Sequence, residues 1–138
     1  MAKTPKATAI KATAALVGVL SLLILVQAFT GGWTAREANK TGLVHAHQGV
    51  AYLVLGLAVA LVIVALVMWR GMAGGQVVVA ESVALLVLII IQIGIGQQIG
   101  KGKGHPGLLA IHIPLAMIIF GITLHMSTFA SNLRRSRV

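Results

Sequence analysis

An all-α integral membrane four-helix bundle, with both chain ends on the cytoplasmic side, is the fold class that three features of this sequence predict. The first is composition: of 138 residues, 58% are hydrophobic and only 9% charged, with a mean hydropathy of +0.98. A soluble chain this short has too little interior to hide that much apolar surface. The second is segmentation. Apolar runs cover about 12–30, 45–69, 77–99 and 107–130, each near or above the ~20 residues that cross ~30 Å of hydrocarbon at ~1.5 Å per residue. The third is where the charge lies. Lys3, Lys6, Lys11, Arg70, Arg134, Arg135 and Arg137 flank one side of the expected bundle and outnumber Arg36, Lys40, Lys101 and Lys103 on the other. The positive-inside rule then places both termini in the cytoplasm. One domain, residues 1–138, accommodates all four spans.

Helices are expected rather than strands because an open sheet leaves edge groups unsatisfied in lipid, and the runs are too evenly apolar for a barrel. Span one follows three lysines and ends at Thr30-Gly31-Gly32. Its flank of lysines and its Val26-Gln27-Ala28 end also fit a secretion signal, but three further spans favour a retained first helix. Span two begins at His45 and closes at Trp69-Arg70-Gly71. Span three lies between Gly74-Gly75 and the glycine-rich stretch Gly100 to Gly104, and carries Glu81 near its start. Pro106 suits the first turn of span four. Pro114 lies deeper, removes one helix hydrogen bond and is expected to bend the span about two turns below its outer end. Trp33, Trp69 and Tyr52 read as interface anchors, with Tyr52 a candidate to line a ligand slot.

Several function classes drop out. A net charge of +9 would suggest nucleic acid in a soluble protein, but here the basic residues sit beside lipid headgroups, so membrane lipid is the expected partner and nucleic acid is not. The chain has no cysteine, which excludes a disulfide, a thiolate metal site and a cysteine-held iron–sulfur cluster. Its only acids are Glu37 and Glu81, and no nucleophile elbow or phosphate loop is present. Independent catalytic activity is not expected.

What remains is histidine. An ionisable side chain at membrane depth marks a site with a partner by default. Spans two and four both run from the outer face inward, so His45, His47, His105 and His112 gather in the outer leaflet or just above it. His45 and His47 are ~200° apart round a helix of ~3.6 residues per turn, so only one can face the bundle axis. His47 is deeper and is preferred. His105 shares the phase of His112 but lies ~10 Å higher, near the headgroups. Two imidazoles facing one another from separate helices suit a haem iron or another metal. A zinc site wants three or four ligands, and this cluster offers no Cys and only Glu37. Gly94, Gly96 and Gly100 on span three leave room for a flat ring, and Arg36, Lys40, Lys101 and Lys103 lie at a level where they could pair with propionates. Histidines that only hydrogen-bond headgroups or carbonyls fit the spacing as well.

Two stretches carry a resemblance. His47-Gln48-Gly49-Val50-Ala51-Tyr52, with Ala110-Ile111-His112-Ile113-Pro114-Leu115-Ala116 and Ile119-Phe120-Gly121, resembles a small bacterial four-helix membrane family of uncharacterised function. More distantly it is similar to one half of haem A synthase, in which histidines of the second and fourth helices hold a haem near the outer face. The likeness spans roughly residues 12 to 130. It implies a bacterial inner-membrane protein with His47 and His112 as axial ligands of haem b; from their positions in the sequence, Gly94 is then expected beside the ring and Arg36, Lys101 and Lys103 near the propionates. The synthase's outer-loop acid and cysteine pair have no counterpart, so synthase activity is not expected. Electron transfer, or service as an accessory subunit of a larger respiratory or photosynthetic complex, is the expected role. The alternative is a cofactor-free structural subunit that packs against a partner membrane protein. His125 lies ~20 Å deeper than His112 with no matching histidine on span two, so a second haem is not expected, and a buried hydrogen bond to Glu81 is. Arg70 competes for Glu81. Gln27 and Gln92, inside spans one and three, read as helix-to-helix glue.

Overall fold

The computed structural model describes residues 2–36, 41–100 and 106–136, apart from the side chains of residues 35, 36, 41 and 106. Four helices follow in order: α1 (Ala7–Arg36), α2 (Thr41–Met68), α3 (Gly75–Gly100) and α4 (Pro106–Arg135). All four are long and apolar enough to cross a membrane. The helices extend beyond most of the apolar runs because the backbone ladder, unlike hydropathy, continues into the headgroup region. Glu37, Lys40, Lys101, Lys103 and His105 lie outside the described residues, as does the side chain of Arg36.

The helices form a ring. α1 packs on α2 and α4, and α3 packs on the same two, while α1 and α3, and likewise α2 and α4, are diagonal and do not pack together. Short connections make neighbours antiparallel, so α2 and α4 run parallel across the diagonal. The end carrying residues 2–6, the α2–α3 turn and the end of α4 is here the terminal end; the opposite one is the distal end.

The terminal end is tied closely. Gly71 and Gly74 have positive φ of 71° and 75°, the left-handed conformation that ends a helix with least strain when no Cβ is present. Lys3 N–H donates to the Gly71 carbonyl at 3.0 Å, and Ala73 N–H donates to the Lys3 carbonyl at 2.9 Å. The leading segment is thereby stitched to the α2–α3 turn. Trp69 was expected at the lipid interface but is 0% exposed. Its Nε1–H donates to Thr13 Oγ1 at 2.9 Å, and its ring lies 6.3 Å from that of Phe129. The reason is positional: Trp69 follows the last turn of α2 and folds under the ring, where Thr13 satisfies its only polar group.

The core repeats. Adding 65 to Thr13, Val17, Leu20 and Ile24 of α1 gives Val78, Ser82, Leu85 and Ile89 of α3, and all eight are buried. The same step carries Val54, Ala58, Leu61 and Ala65 of α2 onto Ile119, Thr123, Met126 and Ala130 of α4, again all buried. Exchanging the hairpins α1–α2 and α3–α4 also maps the α1–α4 packing onto the α3–α2 packing. The bundle is therefore built from two parallel copies of one hairpin.

These buried positions run from the terminal end to the middle of the bundle, where Ile24, Val54, Ile89 and Ile119 lie. Among the described residues, none between Leu25 and Thr34, Gly42 and Leu53, Ile90 and Gly100, or Gly107 and Ile118 is buried. Large apolar side chains such as Val67 (75% exposed) and Met117 (71%) cover the outside. That is a lipid-compatible surface, since helix association in a bilayer depends on packing rather than on hiding oil from water.

Candidate functional site

The two core stripes, continued seven residues toward the distal end, arrive at histidine. His47 precedes Val54 by seven positions and His112 precedes Ile119 by seven, a spacing that keeps helical phase to within ~20°. Both imidazoles are therefore directed toward the less densely packed half of the ring from its two diagonal corners. They are half-buried, while His45 is exposed.

Each ring rests on a glycine of the neighbouring helix in its own hairpin. A Cβ at Gly31 of α1 would stand 3.0 Å from His47 Cε1, and one at Gly96 of α3 would stand 3.2 Å from His112 Cε1. Both contacts are tighter than a real side chain normally makes. The glycines are where they are because an imidazole needs the space.

Hydrogen bonding distinguishes the two rings. His47 Nδ1 is 3.1 Å from Thr30 Oγ1, and that hydroxyl already donates its single proton to the Val26 carbonyl at 2.9 Å. With its proton on Val26, the Thr30 hydroxyl is an acceptor toward His47, an arrangement that favours the ring proton on Nδ1 and leaves a lone pair on Nε2. His112 Nδ1 is buried with no hydrogen-bond partner. Gln92 Nε2 donates instead to the His112 backbone carbonyl at 2.9 Å, across from α3 to α4.

Two further buried polar atoms, Gln27 Oε1 and Gln92 Oε1, have no partner. An unsatisfied buried donor or acceptor costs about 1–3 kcal/mol, and lipid offers no water to relieve it. All three orphaned atoms lie in the distal half, where the core is missing. Three such atoms among apolar helices mark the distal half as the polar part of the interior. Among the described residues no group of three His, Asp or Glu converges, and His47 and His112 are the two histidines directed into this end of the bundle. A pair of imidazoles is a donor set that axial ligation of a planar macrocycle can use.

The remaining sequence candidates divide. Gly94 is exposed and a Cβ there would meet nothing within 4 Å, whereas Gly96 carries the His112 ring. Arg36 is the last residue of α1, while Lys101 and Lys103 are outside the described residues. Tyr52 is 57% exposed and accepts a bond from Gln97 Nε2 at 3.4 Å on the outer surface, so it does not line the interior. Glu81 bonds His125, not Arg70: Nδ1 to Oε1 is 2.6 Å. The pair was expected to be buried, yet the His125 side chain is 63% exposed. His125 follows His112 by thirteen residues and so points to the opposite, outward face of α4.

Reading the spans one at a time passes over the pairing of Gln27 with Gln92 and Gly31 with Gly96. The signal is nevertheless present in the sequence: Gln27, Gly31, Gly42, Leu43, His47 and Ala51 recur, 65 positions on, as Gln92, Gly96, Gly107, Leu108, His112 and Ala116. Aligning the chain with itself reveals it. No protein-family model, no curated protein and no solved structure matches this chain. The functional reading therefore rests on the residues and their geometry.

Proposed function

We propose that this protein is a bacterial inner-membrane cytochrome-like protein that binds one haem b between α2 and α4, with His47 and His112 as the axial ligands. In this reading both termini are cytoplasmic and the distal end faces outward. The observation that carries it is the coincidence of two features. The half of the bundle without a buried core is the half into which two repeat-related histidines project from diagonal, parallel helices. A bound haem would supply one-electron chemistry. The chain supplies two imidazoles, glycine clearance beneath each, and an apolar surround. Arg36, Lys101 and Lys103, by their place in the sequence, are available to propionates. Electron transfer, alone or as an accessory subunit of a larger respiratory or photosynthetic complex, is the use this arrangement suits.

The test is an absorption spectrum of the protein purified from its native membrane or from haem-replete cells. A Soret band with bis-histidine features, lost in His47→Ala, is expected. A colourless but folded protein overturns the proposal.

One observation favours the second reading, a cofactor-free subunit that packs on a partner. The Glu81–His125 pair presents polar atoms on the apolar exterior of α3 and α4, where lipid cannot satisfy them. The first hairpin has Leu16 and Ala60 at the matching positions. Replacing the pair by those counterparts, Glu81→Leu with His125→Ala, is expected to change the stability of the isolated bundle by no more than ~1 kcal/mol, the scale of membrane polar contacts. On this reading the same change abolishes co-purification of a partner subunit, which gel filtration in mild detergent would show.

A further inference from the structure

The two histidines are equivalent by repeat and unequal by environment. Thr30 holds the His47 ring, but adding 65 to Thr30 gives Ile95, which has no polar atom to offer. His112 Nδ1 is accordingly buried without a partner. An imidazole that binds iron through Nε2 must carry its proton on Nδ1. For His47 that arrangement already exists, since Thr30 accepts the Nδ1 proton at 3.1 Å and has its own proton committed to Val26. For His112 the same arrangement would bury an N–H with nothing to receive it. A ring in that position favours its proton on the other nitrogen, the one iron needs bare.

The backbone reinforces the contrast. Two residues beyond His112, Pro114 interrupts the α4 hydrogen-bond ladder. The matching residue in α2 is Gly49, which keeps its N–H. His112 therefore sits on a turn less firmly bonded than the one bearing His47.

We infer that, on the haem reading above, His47 is the permanent iron ligand and His112 is an exchangeable one, so that the site admits a small uncharged iron ligand on the His112 side. Thr30 is the positioning residue that creates the difference. In the exchange the iron–nitrogen bond to His112 breaks and a bond from iron to the incoming ligand forms. No electron is transferred. The class of ligand is set by the surroundings: a small neutral molecule that partitions into lipid can reach the site, and an anion cannot.

Carbon monoxide is the probe, added to the dithionite-reduced full-length protein in detergent and followed by the shift of its Soret band. Wild type is expected to bind carbon monoxide, and His112→Ala is expected to retain haem as a five-coordinate species that binds it more tightly still. His47→Ala is expected to lose haem. Ile95→Thr, which gives α3 the hydroxyl that α1 has, is expected to weaken carbon monoxide binding by about tenfold to 100-fold, the usual range for an outer hydrogen bond to a ligand histidine. A wild-type Soret band unmoved by saturating carbon monoxide overturns the exchange while leaving the haem reading intact. Equal affinity in wild type and Ile95→Thr, both carrying haem, overturns the role of Thr30. No Soret band in wild type overturns the haem reading and this inference with it.

Discussion

The terminal half and the distal half of this bundle are made by the same two repeats, yet one is packed solid and the other is not. In the terminal half eight repeat-related pairs of positions are buried, and the polar ones are satisfied at short range: Ser82 Oγ donates to the Val78 carbonyl at 2.6 Å and Thr123 Oγ1 to the Phe120 carbonyl at 2.7 Å. In the distal half the same stripes continue as histidine, and Gln27, Gln92 and His112 each retain a buried polar atom without a partner. The difference teaches a division of labour. One end holds the helices in register, and the other can therefore carry imidazoles where the first carries core side chains.

That comparison can be broken most forcefully at Trp69. Trp69→Ala should lower unfolding stability by about 3–5 kcal/mol, the range for removing a fully buried aromatic side chain, with thermal unfolding in detergent as the measurement. It also removes the partner of the Thr13 hydroxyl. A loss below ~1 kcal/mol would mean the terminal end does not hold the bundle together.

A matched pair of substitutions sharpens the contrast. Leu61→Ala and Met126→Ala, both at terminal-half positions no more than 1% exposed, should each cost about 2–5 kcal/mol through the cavity they leave. Val50→Ala and Leu115→Ala, repeat partners in the distal half that are only partly buried, should cost less than half as much. Equal losses at both levels would show that the two halves are packed alike.

The smallest stability effect with the clearest functional signature is expected at the glycines. Gly31→Val and Gly96→Val each drive a side chain into an imidazole, since even the Cβ falls 3.0 Å and 3.2 Å from a ring carbon. Overpacking of this kind costs typically about 1–3 kcal/mol. The Soret band should fall in both, whereas Gly94→Val, with open space around it, should leave spectrum and melting temperature unchanged.

The four helices were legible because hydropathy and length act locally, and lipid leaves little choice of structure. Ring order was not, because short loops make α1–α2, α2–α3 and α3–α4 neighbours but say nothing of how α4 returns to α1. The preference for His47 over His45 followed from depth, since helical phase only required a choice between them; in the structure His47 is half-buried and His45 exposed. Gly96 was one of three glycines, with Gly94 and Gly100, near the distal end of α3, and spacing alone does not tell which lies under a ring on another helix. Trp69 and His125 mark the limits of average behaviour. Tryptophan near a span end usually marks the interface, but here Thr13 supplies a buried partner. His125 and Glu81 were close in depth, which predicts contact but not which side of the helices faces outward.

Joining the two hairpins in one chain has a consequence that two separate hairpins could not achieve. In a homodimer of identical hairpins every substitution appears twice, so a hydroxyl placed beside one ring would stand beside the other as well. Two hairpins in one chain lift that constraint: Thr30 and Ile95, Gly49 and Pro114, Leu16 and Glu81 occupy matching places with different chemistry. The repeated hairpin keeps the scaffold, and its unlike residues allow a symmetric frame to hold an asymmetric centre.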